Sequence, residues 1–429
     1  MKKGLKNIVL VMAVIALLCS SCADNQAASN SKSKEVEQGA ASNSQSDQGD
    51  IKAAPQNAEK VEDNQDKKLL LYNLTLIDGT GAEPMEDMRI FISKDRIEKI
   101  VKAEDDFPEG YEKVDLKGYY VLPGFINTHV HCFYSERTLQ NWLENGVTTV
   151  RELASGKGSD FAVRRDESNK NPKNARIVTA SPILTAKGGY IPPFDEPVET
   201  SEEAVKKTQK YINMDADVIK IAIEDDLQGR EWNMLSLDLI QSITKTAHEG
   251  NKKVAVHISH TRNLRLAIDG GVDELSHMVV EPMEEELAKE IANKGIYWVP
   301  TLELWQRVSK QLDLTWDQTA AENLSMFYKA GGKIALGTDY GGYSVPFDQG
   351  MPMTEIKAMK AAGITNMDII ISATQNAAYV CGMEDQIGTL EDGKIADLIV
   401  AKENPLEKLE ALSELYMVIH NGTITMKNQ

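Results

Sequence analysis

Val121-Leu122-Pro123-Gly124-Phe125-Ile126-Asn127-Thr128-His129-Val130-His131 reads as a strand that ends by delivering two imidazoles. Residues i and i+2 of a strand point to the same side, so His129 and His131 share a face. Most of the run before them is apolar and carries no charge, as expected of a strand covered on both faces. Downstream the pattern of strand, loop and helix repeats. Seven more candidate strands follow the first (121–131), at 148–153, 176–182, 217–223, 253–259, 273–278, 297–302 and 333–339. Helical stretches at 201–214, 236–249, 281–294 and 367–381 separate or follow them. Eight strands with intervening helices is the count of a (β/α)8 TIM-like barrel, an α/β fold whose chemistry collects at the C-terminal ends of its strands. His257 ends the fifth strand, His277 the sixth and Asp339 the eighth, while Lys220 lies inside the fourth.

The flanks read differently. Residues 69–100 are short alternating strands broken at Asp78-Gly79-Thr80-Gly81 and Lys94-Asp95, a hairpin pattern. Short strands return at 387–390, 397–401 and 417–424, with Asn421-Gly422 as the last hairpin turn. The two ends, 67–120 and 384–429, are expected to meet in a small β-sandwich domain beside a barrel of residues 121–383. The start of the chain has the form of an export signal, with Lys2, Lys3 and Lys6 before an apolar run at 8–18. That run is short for a membrane-spanning helix. It leads to Leu18-Cys19-Ser20-Ser21-Cys22, where Cys22 after a small residue fits lipidation better than Cys19 after Leu18. Residues 1–22 are thus expected to be a lipoprotein signal peptide. Residues 23–66, poor in large apolar side chains, are expected to be a disordered linker. The expected location is the extracellular side of a bacterial cytoplasmic membrane, held there by the lipid anchor. A net charge of −18 argues against a nucleic-acid partner. Cys132 and Cys381 would remain after processing, too few for a disulfide framework, and are expected to be free thiols.

The His-x-His pair after Leu-Pro-Gly-Phe, one histidine each on strands five and six, and Gly337-Thr338-Asp339 closing strand eight together resemble the amidohydrolase superfamily. The pattern is most similar to imidazolonepropionase-related enzymes and metal-dependent prolidase-like dipeptidases. Leu76-Ile77-Asp78-Gly79-Thr80-Gly81, the stretch from Ile387 to Leu398 and Asn421-Gly422 are similar to the β-domain of those enzymes. The resemblance implies two divalent metal ions, expected to be zinc. One would be held by His129, His131, Lys220 and Asp339, the other by Lys220, His257 and His277. It also implies that Lys220 is carboxylated and bridges the two, with a hydroxide between them and Asp339 as the catalytic proton carrier. The residue types suit those roles: neutral imidazole and carboxylate oxygen bind zinc. A lysine amine whose pKa falls on burial can add CO2 to become a carbamate. The implied reaction is hydrolysis of a C–N amide bond in a small molecule, such as a dipeptide, an N-acyl amino acid or a cyclic amide.

Three departures from the prolidase-like pattern fall around the substrate rather than on the metals. Glu152 stands where Asp is usual, Tyr190 where many relatives carry His, and Ser259 where a second His is frequent, with His260 one place later. Tyr190 and His260, on loops after strands three and five, are therefore the candidate substrate-binding residues. His248, in the last turn of a helix, and His420, in the terminal hairpin, are assigned to structure. Two other readings stay open: a mononuclear deaminase-like hydrolase with unmodified Lys220, and a catalytically dead surface solute-binding lipoprotein. The filled ligand positions weigh against the latter.

Overall fold

The computed structural model describes residues 68–103, 108–131, 135–154, 160–191, 195–227 and 229–428. The expected signal, the linker, Cys22 and Cys132 lie outside the described residues. The whole of the described fold lies in one compact unit, Asp66–Gln429. Among the described residues no helix is long and apolar enough to cross a membrane. Cys381 is a free, buried thiol.

The two chain ends do meet. In order, the strands Thr423–Lys427, Leu415–His420, Leu398–Ala401, Glu112–Pro123, Lys68–Leu76, Met85–Ser93 and Arg96–Lys102 form one seven-stranded sheet. Only the contact between Lys68–Leu76 and Glu112–Pro123 is parallel. The sequence pattern predicts a sandwich; the described strands lie edge to edge in a single mixed layer. Glu112–Pro123 explains this, because it pairs along one edge with an N-terminal strand and along the other with a C-terminal one. The layer buries one apolar cluster that includes Leu69, Leu71, Ile90, Leu116, Leu398 and Met417.

A second system is parallel. Phe125–Val130, Val147–Glu152 and Arg176–Thr179 are consecutive neighbours. Val218–Ala222, Lys253–His257, Glu274–Ser276 and Tyr297–Val299 form another such run. Isolated parallel bridges join Ala180 to Val218, Trp298 to Ile334, and Val130 to Tyr340. The neighbour order therefore returns to the strand from which it starts. Eight expected strands occupy these positions, with three differences. The first divides at Gly124: its first half belongs to the mixed sheet and only Phe125–Val130 to the parallel set. A Cβ at Gly124 would collide with the Thr148 side chain, so only glycine lets the chain cross there. An unexpected pair, Ile183–Ala186 and Asp195–Val198, is added beside Val218–Ala222. The eighth strand is reduced to the bridges at Ile334 and Tyr340, helped by Thr128 N–H on Leu336 O at 3.0 Å and Asp339 N–H on His129 O at 2.8 Å.

Helices cover the parallel strands because their apolar stripes require burial. Leu237–Glu249 starts at Ser236, whose hydroxyl caps Leu239 N–H, and buries Leu239, Ile240, Ile243 and Ala247. Each such large aliphatic side chain contributes about 1.5–3 kcal/mol on leaving water. Ser201–Asn213 is capped by Thr200 on Glu203 N–H at 3.2 Å, while Glu203 reaches back to Glu199 N–H. The helix expected at 281–294 is shorter, Glu285–Asn293. The one expected at 367–381 breaks at Thr374 into Asn366–Ala373 and Gln375–Val380.

Candidate active site

The parallel strands end in a crowd of imidazoles. His129 closes Phe125–Val130 and His131 follows it; their Nε2 atoms are 3.2 Å apart. Asp339 Oδ1 lies 3.2 Å from His129 Nε2 and 3.0 Å from His131 Nε2. The His277 ring centroid is 4.8 Å from that of His129, and His257 is 4.7 Å from His277. The structure thus brings together four histidines and Asp339, drawn from distant places in the sequence. His277 at φ 75°, Thr301 at φ 49° and Asp339 at φ 60° all adopt the left-handed region. For residues with a Cβ this costs of order 1–3 kcal/mol each and is typical of functional rims. Backbone bonds hold the bend: His277 N–H donates to Val299 O at 2.9 Å, and Trp298 Nε1–H to His277 O at 2.6 Å.

Lys220 stands in the middle of Val218–Ala222, 1% exposed, and its ammonium nitrogen has no hydrogen-bond partner among the described residues. Burial pushes its pKa down to about 7, with Arg151 pushing the same way and Glu274 and Asp339 opposing. The buried Arg151 is itself spanned by acceptors: Thr128 O at 2.6 Å, Val380 O at 2.7 Å and Glu274 at 2.8 Å. Burial, and next to it the positive charge of Lys220, hold the His129 and His257 imidazoles well below the usual histidine range. Burial does the same at His277, against the pull of Asp339. All three rings are therefore neutral at pH 7 and can offer a lone pair. Asp339 is buried, which opposes its ionisation; the His131 hydrogen bond and the charges around it win, and its carboxyl sits below the ordinary range.

These residues suit a cation on physical grounds. His129, His131 and Asp339 offer ligand atoms within 4.8 Å of one another. Lys220 Nζ is buried without a hydrogen-bond partner, a cost of about 1–3 kcal/mol that a bound group would relieve. His277 Nδ1 is engaged by Thr301 Oγ1 at 2.9 Å, which leaves Nε2 to face the cluster.

The two candidate substrate residues part company. Tyr190 stacks on His257 with ring centroids 4.0 Å apart and planes 21° apart. Burial, with Asp339 and Glu224 adding to it, raises its pKa well above the ordinary value, so the phenol stays protonated. His260 is pinned elsewhere: Nδ1 lies 2.9 Å from Glu281 and Nε2 2.6 Å from the Asp226 carbonyl. Neither nitrogen is left for a substrate. His248 contacts Asp273 at 2.9 Å and His420 contacts Asp397 at 2.9 Å, both structural as expected.

Glu224 joins the site without a motif to announce it. It is 1% exposed, accepts from Ser259 Oγ at 2.5 Å and Ser259 N–H at 3.1 Å, and lies 3.4 Å from His257 Nε2. Burial raises its pKa to about 7. The one signal that could have found it is strand parity: 220, 222 and 224 fall on one face.

Residues 120–425 match the model described as "Amidohydrolase family". An ochratoxinase from Aspergillus niger is 25% identical over 421 residues, covering 82% of this chain and 85% of that protein. An imidazolonepropionase from Symbiobacterium thermophilum is 24% identical over 67% of this chain and 76% of its own length. Among solved structures, a Xaa-Pro dipeptidase with bound methionine in its active site matches with a TM-score of 0.73 at 25% identity. It covers 83% of this chain and 99% of that one.

Proposed function

The chain belongs to the amidohydrolase family, and from that premise we propose that it is a hydrolase of C–N amide bonds in small molecules, dipeptides, N-acyl amino acids or cyclic amides. The observation that carries this reading is the convergence of His129, His131, His257, His277 and Asp339 around a buried Lys220 whose amine lacks a hydrogen-bond partner. In the same reading the parallel strands are a (β/α)8 barrel of residues 121–383, joined to a domain made of both chain ends. Cys22 carries the lipid that keeps the enzyme on the outer side of the cytoplasmic membrane.

His129, His131, Lys220 and Asp339 would hold one divalent ion, and Lys220, His257 and His277 a second, with zinc suited to the imidazole-rich set. Ions bound there supply Lewis-acid polarisation of the scissile carbonyl and a water of lowered pKa. Lys220 serves as a carbamate: its neutral amine adds CO2 and releases a proton, turning a buried positive charge into two oxygens. Asp339, held ionised between His129 and His131, takes a proton from the attacking water and returns it to the departing amine. Tyr190, protonated and stacked on His257, offers a hydroxyl donor to the substrate.

Metal analysis of the purified protein tests the reading, together with amide hydrolysis before and after chelation. Two ions per chain and activity lost on chelation are expected. The tight three-residue group of His129, His131 and Asp339 is by itself a set for a single ion. One ion per chain with unmodified Lys220 would replace this reading with the mononuclear, deaminase-like one. Full activity without metal would overturn both.

A further inference from the structure

A continuous run of rings leaves the histidine cluster in one direction. His257 stacks on Tyr190, and Tyr190 meets Trp232 edge to face with centroids 5.1 Å apart. The Arg230 guanidinium lies 5.9 Å from the Trp232 ring. Arg230 and Trp232 sit on and just after the short hairpin of Asp226–Leu227 and Arg230–Glu231, which comes next in the chain after the Lys220 strand. That hairpin is fixed to the Tyr190 loop. Asn233 N–H donates to Gly188 O at 3.1 Å and Asn233 Nδ2 to Lys187 O at 2.8 Å, while Trp232 N–H closes the base of the hairpin on Asp225 O at 2.8 Å. The ladder of rings is therefore built into the fold.

Donors along this ladder lack acceptors. The exposed Arg230 side chain has no hydrogen bond or ion pair among the described residues, in a chain of net charge −18 where Arg165, Arg176, Arg262 and Arg265 are all paired with carboxylates. The Tyr190 hydroxyl likewise has no hydrogen-bond partner among the described residues. On the other side of the cluster Trp305, 4% exposed, stands 5.9 Å from His277 with its buried Nε1–H unpartnered. Unpaired donors beside flat rings suit a ligand that brings acceptors and a π face, and an unpaired guanidinium suits a carboxylate.

We propose that Arg230, Trp232 and Tyr190 form a specificity subsite that selects amides bearing a free carboxylate together with an aromatic ring. The carboxylate docks on Arg230 and the ring lies along Trp232 and Tyr190, which leads the amide toward His257. This rests on the amide-hydrolase reading above for its chemistry, but not for its binding.

Titration calorimetry on the metal-loaded protein separates the two. The probes are N-acetyl-phenylalanine, which has ring and carboxylate, N-acetylphenethylamine, which has only the ring, and N-acetylalanine, which has only the carboxylate. Wild type should bind the first most tightly. Arg230→Gln should weaken N-acetyl-phenylalanine about 10- to 100-fold, the range of a lost charge-assisted hydrogen bond, and leave N-acetylphenethylamine nearly unchanged. Arg230→Lys should restore part of the loss, and Trp232→Leu should erase the preference for N-acetyl-phenylalanine over N-acetylalanine. Equal affinities for the ring probes in wild type would overturn the subsite, as would equal losses for both in Arg230→Gln. Amides hydrolysed with no dependence on Arg230 would sink the subsite and leave the hydrolase. Arg230-dependent binding with no amide hydrolysed would sink the hydrolase and leave the subsite.

Discussion

Lys220 is the side chain on which the proposed chemistry turns. An ammonium buried among polarised groups and divalent ions would be opposed by every neighbour of like charge, and its pKa already falls to about 7 without them. Lys220→Ala should lose most activity and at least one metal ion, and short carboxylic acids should restore part of both. Lys220→Arg should not substitute, because a guanidinium stays charged and cannot carry CO2. Metal analysis and amide hydrolysis read both outcomes, and an active, fully metallated Lys220→Ala protein would refute the role. Glu224 supports a second prediction. Its carboxylate, pinned by Ser259, faces His257 Nε2 at 3.4 Å, the position of a group that orients a ligand ring. Glu224→Ala should lower metal affinity roughly 10- to 100-fold, measured by competition with a chromogenic chelator. The histidines and Asp339 are legible in the sequence because strand parity and strand ends fix where such residues point. Glu224 shares that parity but carries no motif. His260 reads in the sequence as a substrate group because its partners, Glu281 and the Asp226 carbonyl, come from loops whose path no periodicity reveals.

Elements set the angles at which those residues meet. The helix Leu302–Leu312 begins directly after Thr301, and the buried Glu355 accepts from its first N–H groups, Leu302 at 3.0 Å and Glu303 at 2.6 Å. A distant carboxylate thus takes the place of an N-cap and fixes Thr301, whose hydroxyl holds His277 Nδ1. Thr301→Val keeps the shape and removes that hydroxyl. Its stability should change by only about 1 kcal/mol, while affinity for metal at His277 falls about tenfold or more. Thermal unfolding and chelator competition check the two halves separately, and unchanged metal affinity would show that Thr301 does not orient the ring. The strands are readable because they are continuous apolar runs. The division at Gly124 is not, since both halves are extended and apolar and differ only in the neighbours they pair with. Thr374 similarly interrupts an apolar stretch that has helical periodicity on both sides.

Across the whole molecule, the mixed sheet is tied to the parallel strands through one buried carboxylate. Asp397, 4% exposed, accepts from Arg176 Nη1 at 2.5 Å and Asn421 N–H at 2.8 Å, and lies 2.9 Å from His420 Nδ1. Arg176 begins a parallel strand, whereas Asp397 directly precedes Leu398–Ala401, His420 ends Leu415–His420 and Asn421 follows it, at the C-terminal part of the mixed sheet. The turn at Gly422 (φ 71°) admits no side chain, because a Cβ there would collide with the Lys94 carbonyl. The closing Ala-Asp-Leu and Asn-Gly motifs seen in the sequence are therefore the two halves of a clamp. Burial opposes the ionisation of Asp397, but Arg176 and His420 overcome it and hold the carboxyl well below the usual carboxylate range. A carboxylate depressed in the folded state stabilises fully above its unfolded pKa, about 4, and its contribution is lost as pH falls toward the folded value. The clamp is thus fully in force at neutral pH and weakens only in acid. Asp397→Asn leaves the Arg176 guanidinium buried beside a neutral amide, which should cost about 3–5 kcal/mol at pH 7. The gap to wild type should narrow as the pH is lowered below about 4, where the unfolded wild-type chain takes up a proton at Asp397 that the folded protein does not bind. Urea unfolding of both proteins at pH 7 and at pH 3 measures it. The variant that remains folded should keep its metal, because Arg176 lies at the opposite end of its strand from the histidine cluster. Equal urea midpoints at pH 7 would show that the two parts are held together by apolar packing alone.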